Sequence, residues 1–249
     1  MPLSENWFLE WFNSPYYHLL YFERDEKEAA SFIARLIAHL RIHPSALIVD
    51  VACGKGRHSR LLSEKGFDVT GIDISLDSIA FAKRFENDHL HFFQHDMRLP
   101  FWINYFDYAF NFFSSFGYFR TEREHYNAIR SITQSLKKDG ILVLDYLGVH
   151  YAEDHLVHKS EKEINGVTYY ITKWFDETHF YKRIVIEDEK KDAPLEYTEK
   201  IAKFSLGDFN DMFAFHGLQM QEVYGDYEFN SYDVKKSPRL LMIAKKIAN

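Results

Sequence analysis

The sequence holds a single cysteine, Cys53, among 249 residues. One thiol excludes an internal disulfide and suits a reducing compartment. The N-terminal residues lack the basic-then-apolar pattern of a secretion signal, and no run of about 18 apolar residues exists to cross a bilayer as a helix. The expected setting is therefore cytoplasmic, with no membrane partner. Clustered positive charge is scarce as well: 30 Lys and Arg against 37 Asp and Glu leave a formal net charge of −7. A nucleic-acid backbone is held by grouped Lys and Arg, so no nucleic-acid partner is expected, although a local basic patch is compatible with that balance. Internal repeats and low-complexity segments are absent.

What is abundant is apolar and aromatic. Hydrophobic residues make up 46% of the chain and aromatics 17%, with 23 Phe and 16 Tyr. That suffices for a sizeable core. The length fits one α/β domain with an insertion, or two small domains, present as a monomer or homodimer.

Residues 47–73, LIVDVACGKGRHSRLLSEKGFDVTGID, organise the rest. Leu47-Ile48-Val49-Asp50-Val51 has the pattern of a buried strand. Ala52-Cys53-Gly54-Lys55-Gly56 is a small-residue loop. A helix over 57–65 ends at Gly66, and a second strand delivers an acid, Asp73. This is one βαβ unit that cradles a nucleoside ligand. Gly54 and Gly56 let a ligand lie against bare backbone. The helix beginning at Arg57 points free N–H groups and a partial positive charge at the loop. Asp73, at the carboxyl end of its strand, is placed to accept two hydrogen bonds from ribose hydroxyls. Two common phosphate motifs are missing. The third glycine of G-x-G-x-x-G is Ser59, and Lys55 is followed by Gly56, so G-K-[ST] is absent.

Asp50-x-Ala52-x-Gly54-x-Gly56 resembles motif I of the class I S-adenosylmethionine (SAM) dependent methyltransferases, whose usual form is an acid followed by three glycines at alternate positions. The string VACGKGRHS is similar to the version in their small-molecule branch. Ala52 stands where the family usually has glycine, which would narrow the loop slightly. The resemblance covers residues 46–146. It implies an α/β, Rossmann-like, seven-stranded and mostly parallel sheet of order 3-2-1-4-5-7-6, flanked by helices, with an antiparallel β insertion after strand 5. It also implies SAM as cofactor and a small-molecule methyl acceptor as partner. The cofactor contacts it suggests are Asp50, Ala52, Cys53, Gly54, Gly56, Arg57, Asp73 and Ile74. To these it adds Asp96 and Met97 at the adenine, Asn111 and Phe113 at the methionine end, and a Tyr pair, Tyr16 and Tyr17, on a closing N-terminal segment. Ser114 and Ser115 are further candidates beside the acceptor.

Elsewhere the chain reads by periodicity and caps. Trp7, Phe8, Trp11 and Phe12 fall at helical spacing, and Ser14-Pro15 ends that helix. Residues 25–41 form an amphipathic helix with Asp25 as N-cap, Glu28 three residues on, and Phe32, Ile33, Leu36, Ile37 and Leu40 as its stripe. Ser75 caps a helix over 76–86. The third strand spans 89–94; His89 and His91 share one face, but with no third ligand at a telling distance a half-exposed strand and no metal is the reading. The fourth strand spans 106–112. Thr121 and Glu124 make a capping box for a helix to Lys137, and Asp139-Gly140 turns into a fifth strand over 141–146. Residues 147–204 break the alternation. Asn165-Gly166 between two strand-like runs is a hairpin signal, and further strands over 180–186 and 195–204 complete an antiparallel insertion. Ser205 caps a last helix ending at Gly217, and strands over 218–224 and 239–245 close the sheet. The expected organisation is a lid over 1–24, a cofactor-binding unit over 25–146 and 205–249, and an insertion over 147–204 on the substrate side.

No nucleophile triad is present, and methyl transfer by in-line displacement to a nitrogen or oxygen needs none. No catalytic base is assigned; His18, Tyr16, Tyr17 and His179 are candidates, none singled out. Cys53 reads as a packing residue. Two other classes remain: a non-catalytic nucleoside-binding or regulatory protein on the same sheet, and a nicotinamide oxidoreductase, which Ser59 disfavours.

Overall fold

A computed structural model describes residues 7–21 and 26–247. The expected Asp25 cap and the parts of the lid at 1–6 and 22–24 lie outside the described residues. Three helices open the chain: α1 (Trp7–Phe12), α2 (Pro15–Leu20) and α3 (Glu26–Leu40). Ser14 accepts from the Tyr16 amide with Pro15 at the first helical position, so α2 starts as a new helix rather than continuing α1.

The parallel part of the sheet follows: β1 (Leu47–Val51), α4 (Arg57–Glu64), β2 (Asp68–Asp73), α5 (Leu76–Ala82) with a single 3-10 turn after it, β3 (Leu90–Gln94), β4 (Phe106–Asn111), α6 (Glu122–Ser135) and β5 (Leu136–Leu147). Then come α7 (Val149–Asp154), β6 (Lys159–Ile164), β7 (Val167–Phe175), β8 (His179–Asp188) and β9 (Leu195–Ala202). The chain ends with α8 (Leu206–Phe215), β10 (Leu218–Tyr224) and β11 (Arg239–Lys246). The main sheet has the order β10-β11-β5-β4-β1-β2-β3, with β11 antiparallel to both β5 and β10. This is the expected seven-stranded order, with β10 and β11 as strands 6 and 7.

Strand alternation sends side chains into two cores. On one face Val49, Val51, Leu142 and Leu144 pack with Ile129 and Ile132 of α6 and Phe209 and Phe213 of α8. On the other, Ile48, Val69 and Phe110 pack with Phe32, Ile33 and Leu36 of α3, Leu62 of α4 and Ile79 of α5. Capping boxes at Thr121/Glu124 and Ser205/Asp208 start α6 and α8 as the sequence indicates. The C-terminal end of α6 differs: it stops at Ser135 rather than Lys137. Leu136 is fully buried and pairs with Phe106, so burial draws the chain into β5 early. Helix α7 has no counterpart in the sequence reading, because Gly148 precedes it without a side-chain cap.

The second sheet, β6-β7-β8-β9, is antiparallel throughout. Asn165 at φ 53° and Gly166 at φ 78° make the two-residue turn between β6 and β7. Strand β6 is an exposed edge that carries Lys159, Glu161, Lys162 and Glu163, a charged composition that resists further pairing. Val167, Tyr169, Ile171, Ile184 and Ile186 face Trp11 and Leu20 in a third apolar cluster, so α1 and α2 are the partners of this sheet.

Candidate functional site

The loop after β1 turns through left-handed backbone at Ala52 (φ 59°), Gly54 (φ 55°) and Gly56 (φ 78°). A Cβ at Gly54 would meet nothing within 4 Å, whereas one at Gly56 would meet the Phe92 ring at 2.5 Å. Gly54 therefore faces open space and Gly56 faces the sheet. Ala52 pays for its position in backbone strain rather than in loop width, since a non-glycine residue in this region costs about 1–2 kcal/mol. Asp73 accepts from the Gly54 amide at 2.8 Å and from the Ser75 amide at 2.8 Å, which ties the loop to the end of β2. Burial raises the Asp73 carboxyl above the usual range, and those two amides oppose the rise. Asp50 lies beneath, accepting from Ser59 Oγ at 2.6 Å. Burial pushes its carboxyl up to about 7, with the Ser59 bond opposing and the Asp73 charge adding. Ser59, the residue that breaks the dinucleotide pattern, is thus the partner of the motif's acid.

These groups line a cavity of about 370 Å³ at the carboxyl ends of β1 to β4, where the strand order reverses. That volume falls within the range of about 300–1,000 Å³ typical of small-molecule sites. Its floor and walls include Asp50, Ala52, Cys53, Gly54, Arg57, Asp73, Ile74, Asp96, Met97 and Phe113, all expected from the sequence. Tyr17 lines it as well, from α2. Burial raises the Cys53 thiol well above its ordinary value, in keeping with packing rather than reactivity.

Three of the expected cofactor contacts are elsewhere, and Ser114 is likewise absent from the lining. Tyr16 points the other way from Tyr17, because consecutive helical residues diverge by about 100°; its hydroxyl donates to Asp188 at 2.8 Å on β8. Gly56 serves as the N-cap of α4 and packs on Phe92. Asn111 is fully buried, donating Nδ2 to the Val51 carbonyl at 2.9 Å, and supports the loop from below. His179, a possible base, sits on β8 outside the cavity lining.

The N-terminal helices close one side with Phe8, Phe12, Tyr17, His18 and Tyr21. They are latched to α5: Ser75 Oγ donates to Asn13 Oδ1 at 2.9 Å, and the Asp77 amide donates to the same oxygen at 3.4 Å. Tyr21 Oη donates to Glu199 of β9 at 2.9 Å and Trp11 Nε1 donates to the same carboxylate oxygen at 2.7 Å, so the second sheet reaches the cavity through these helices. His18 Nε2 is buried without a hydrogen-bond partner, and burial lowers its imidazole to about 4, so the ring is neutral at physiological pH.

Sequence reasoning missed Arg98. Its guanidinium forks onto Asp96 at 2.6–3.1 Å, pairs with Glu124 of α6 at 2.6 Å, and stacks between Phe8 and Phe119 at 5.4 and 5.1 Å. Asp96 therefore faces the cavity as a carboxylate already bound by an arginine, with its Oδ1 also capping the Arg98 amide at 2.9 Å. The aromatic walls Tyr118 and Phe119 were missed too, since the loop after β4 carries no periodic signal. Among the described residues no group of three or more His, Cys, Asp or Glu is arranged to hold a metal ion, and no helix is long and apolar enough to cross a membrane.

Residues 48–140 match the family model described as Methyltransferase domain. YqeM of Bacillus subtilis is 37% identical over 101 residues, 39% of this chain and 41% of that protein. The dTDP-3-amino-3,4,6-trideoxy-alpha-D-glucopyranose N,N-dimethyltransferase of Streptomyces venezuelae is 34% identical over 132 residues, 52% of this chain and 54% of its own. Both alignments span about half or less of those relatives. The fold extends further: a solved S-adenosylmethionine-dependent methyltransferase from Clostridium acetobutylicum superposes with a TM-score of 0.77 at 17% identity, over 92% of this chain and 95% of that one.

Proposed function

We propose that this chain is a SAM-dependent methyltransferase that moves the methyl group of its cofactor onto a nitrogen or oxygen of a small-molecule acceptor. The observation that carries the reading is the Asp73–Gly54 hydrogen bond at the mouth of an open, glycine-lined hollow. The residues present fit the cofactor. Gly54 leaves room that any Cβ would occupy, and the half-buried Asp73 carboxylate beside it favours a cationic ligand.

In this reading Asp73 accepts from both ribose hydroxyls with the lone pairs that Gly54 and Ser75 leave over. Asp96 accepts from the adenine amino group while Arg98 fixes its orientation, and the Met97 amide meets the ring. Ala52, Cys53, Gly54, Arg57 and Ile74 complete the cradle, with Phe113 at the methionine end and Tyr17 above. SAM, when bound, supplies an electrophilic methyl group on a sulfonium. The chain supplies position and dryness: Phe8, Phe12, Tyr118 and Phe119 exclude water and strengthen the field of the Asp73 carboxylate. His18 Nε2, neutral and unpartnered, takes a hydrogen bond from the acceptor's N–H or O–H.

Residues 1–24 act as a lid, 25–146 and 205–249 as the cofactor-binding unit, and 147–204 as an insertion that sets the acceptor side through its contacts with α1 and α2. The protein works in the cytoplasm as a monomer or homodimer. An amine is the favoured acceptor, in line with the N,N-dimethyltransferase relative. Incubation with methyl-labelled SAM and a panel of amino sugars, amino acids and phenols tests this. Label in an amine product is the expected result; no transfer to any member, with SAM bound, contradicts it.

A further inference from the structure

The loop after β4 contains two consecutive non-glycine residues in left-handed backbone, Phe113 at φ 57° and Ser114 at φ 54°. Neither residue favours that region, so the conformation persists only where the surroundings fix it. What fixes it is one residue, through both its carboxylate and its main-chain carbonyl. Asp145, near the end of β5, is fully buried. Its Oδ2 accepts from the Phe113 amide at 2.7 Å, from Tyr227 Oη at 2.7 Å and from Arg239 Nη2 at 2.6 Å; its Oδ1 accepts from Arg239 Nε at 2.8 Å. The Asp145 carbonyl accepts from the Ser114 amide at 3.2 Å, and Arg239 Nη2 reaches Ser114 Oγ at 3.1 Å. Asp145, Tyr227 and Arg239 are absent from the cavity lining, while Phe112, Phe113 and Ser115 are part of it.

We infer that Asp145, held by Arg239 and Tyr227, is a positioning residue that fixes the Phe113–Ser114 turn and thereby the cavity wall beside the cofactor's methionine end. The inference rests on the cofactor reading above. The turn has a ligand-facing side: the Phe113 ring lies 5.0 Å from the His58 ring at 26°, under the Arg57 guanidinium at 4.7 Å, and 5.4 Å from the Tyr227 ring. A slack turn would withdraw Phe113 from His58 and Arg57 together. It also ties the site to the C-terminal hairpin, since Tyr227 and Arg239 lie between and at the start of the last two strands. The arrangement explains why β11 opens on an arginine. A guanidinium fork satisfies both carboxylate oxygens and still bonds Ser114 from one rigid plane, a fixed geometry that the point charge of an ammonium on a flexible stem does not impose.

The test uses Asp145→Asn, with Arg239→Lys and Tyr227→Phe as milder variants should the first fail to fold, and Arg239→Lys/Ser114→Gly as the rescue. Hydrogen exchange on ligand-free protein reads the clamp without the cofactor, and calorimetry with SAM reads its consequence. Arg239→Lys is expected to speed exchange of the Phe113 and Ser114 amides at least tenfold while the Leu241 to Ile243 amides keep native protection, and to weaken SAM about tenfold. Adding Ser114→Gly, which removes the cost of left-handed backbone at that position, recovers most of the lost affinity. A merely stabilising role would leave the glycine variant without effect. Native-like exchange at 113 and 114 in all variants overturns the clamp. Loosened amides with unchanged SAM affinity overturn its positioning role. If the native protein fails to bind SAM while the amides still loosen, the cofactor reading falls and the clamp stands.

Discussion

Asp50 sits in β1 with 2% of its surface exposed, and its carboxyl is pushed up to about 7 by burial. In the unfolded chain an aspartate titrates near 3.9. The folded state therefore holds this proton more tightly, and between about pH 4 and pH 7 it carries more bound proton than the unfolded state. Stability must fall as pH rises through that window. A shift of about three units at 1.36 kcal/mol each gives a total loss of about 4 kcal/mol, of which about 2–3 kcal/mol falls between pH 5 and pH 8. Asp50→Asn keeps the shape and can still pair with Ser59 but has nothing to ionise. The variant should be about 2–3 kcal/mol more stable, relative to native, at pH 8 than at pH 5. His18 and His125, both lowered to about 4 by burial, act with the opposite sign below pH 6.5, and they are common to both proteins and cancel in the difference. The Asp73 charge, which raises the Asp50 carboxyl, and the Arg57 charge, which lowers it, are already contained in that shift. Urea unfolding of both proteins at pH 5, 6, 7 and 8 reads the difference directly. A difference constant to within about 0.5 kcal/mol across the series would refute the claim that Asp50 is buried as a near-neutral acid.

Gly71→Ala in β2 places a Cβ 2.5 Å from the Phe92 ring and 2.9 Å from Cys53 Sγ, so it should cost about 1–3 kcal/mol in urea unfolding; a native midpoint would contradict the packing. Gly54→Ala has free space and only its φ of 55° to accommodate, so it should lose about 1 kcal/mol of stability yet weaken SAM by more than tenfold, measured by calorimetry. Asn13→Ala removes the oxygen that latches α1–α2 to Ser75 and the Asp77 amide, at about 1 kcal/mol, and should speed SAM release in stopped-flow displacement. An unchanged release rate would show that these helices do not gate the site.

The parts of this protein that could be read in advance are those where local chemistry decides. The succession of strands and helices follows from apolar runs and helix caps, the order of strands within the sheet from the family resemblance, and Asp50, Gly54 and Asp73 are brought together within one βαβ unit by short-range geometry. The Asn165-Gly166 turn is legible because few residue pairs tolerate its backbone. What was not legible are side chains whose direction depends on distant contacts. Tyr16 and Tyr17 look equivalent in sequence, but Asp188, 172 residues on from Tyr16, takes one while the cavity takes the other. Arg98 gave no signal because its partners, Phe8, Phe119 and Glu124, come from separate elements. Asn111 sits at the right strand end but is spent on the Val51 carbonyl. Gly56 matched the motif, and its missing side chain makes room for Phe92.

Calorimetric titration of SAM into the native protein and into Asp73→Ala bears most directly on the claim that the hollow beside Gly54 holds the cofactor. Two hydrogen bonds to an ionised carboxylate at about 1.5 kcal/mol each amount to about 3 kcal/mol, or roughly a hundredfold in affinity. Saturable binding near one SAM per chain, weakened about a hundredfold in a variant whose circular dichroism is native, is the predicted result. Native protein that takes up no SAM, or a variant that binds it as tightly as native, would contradict the account.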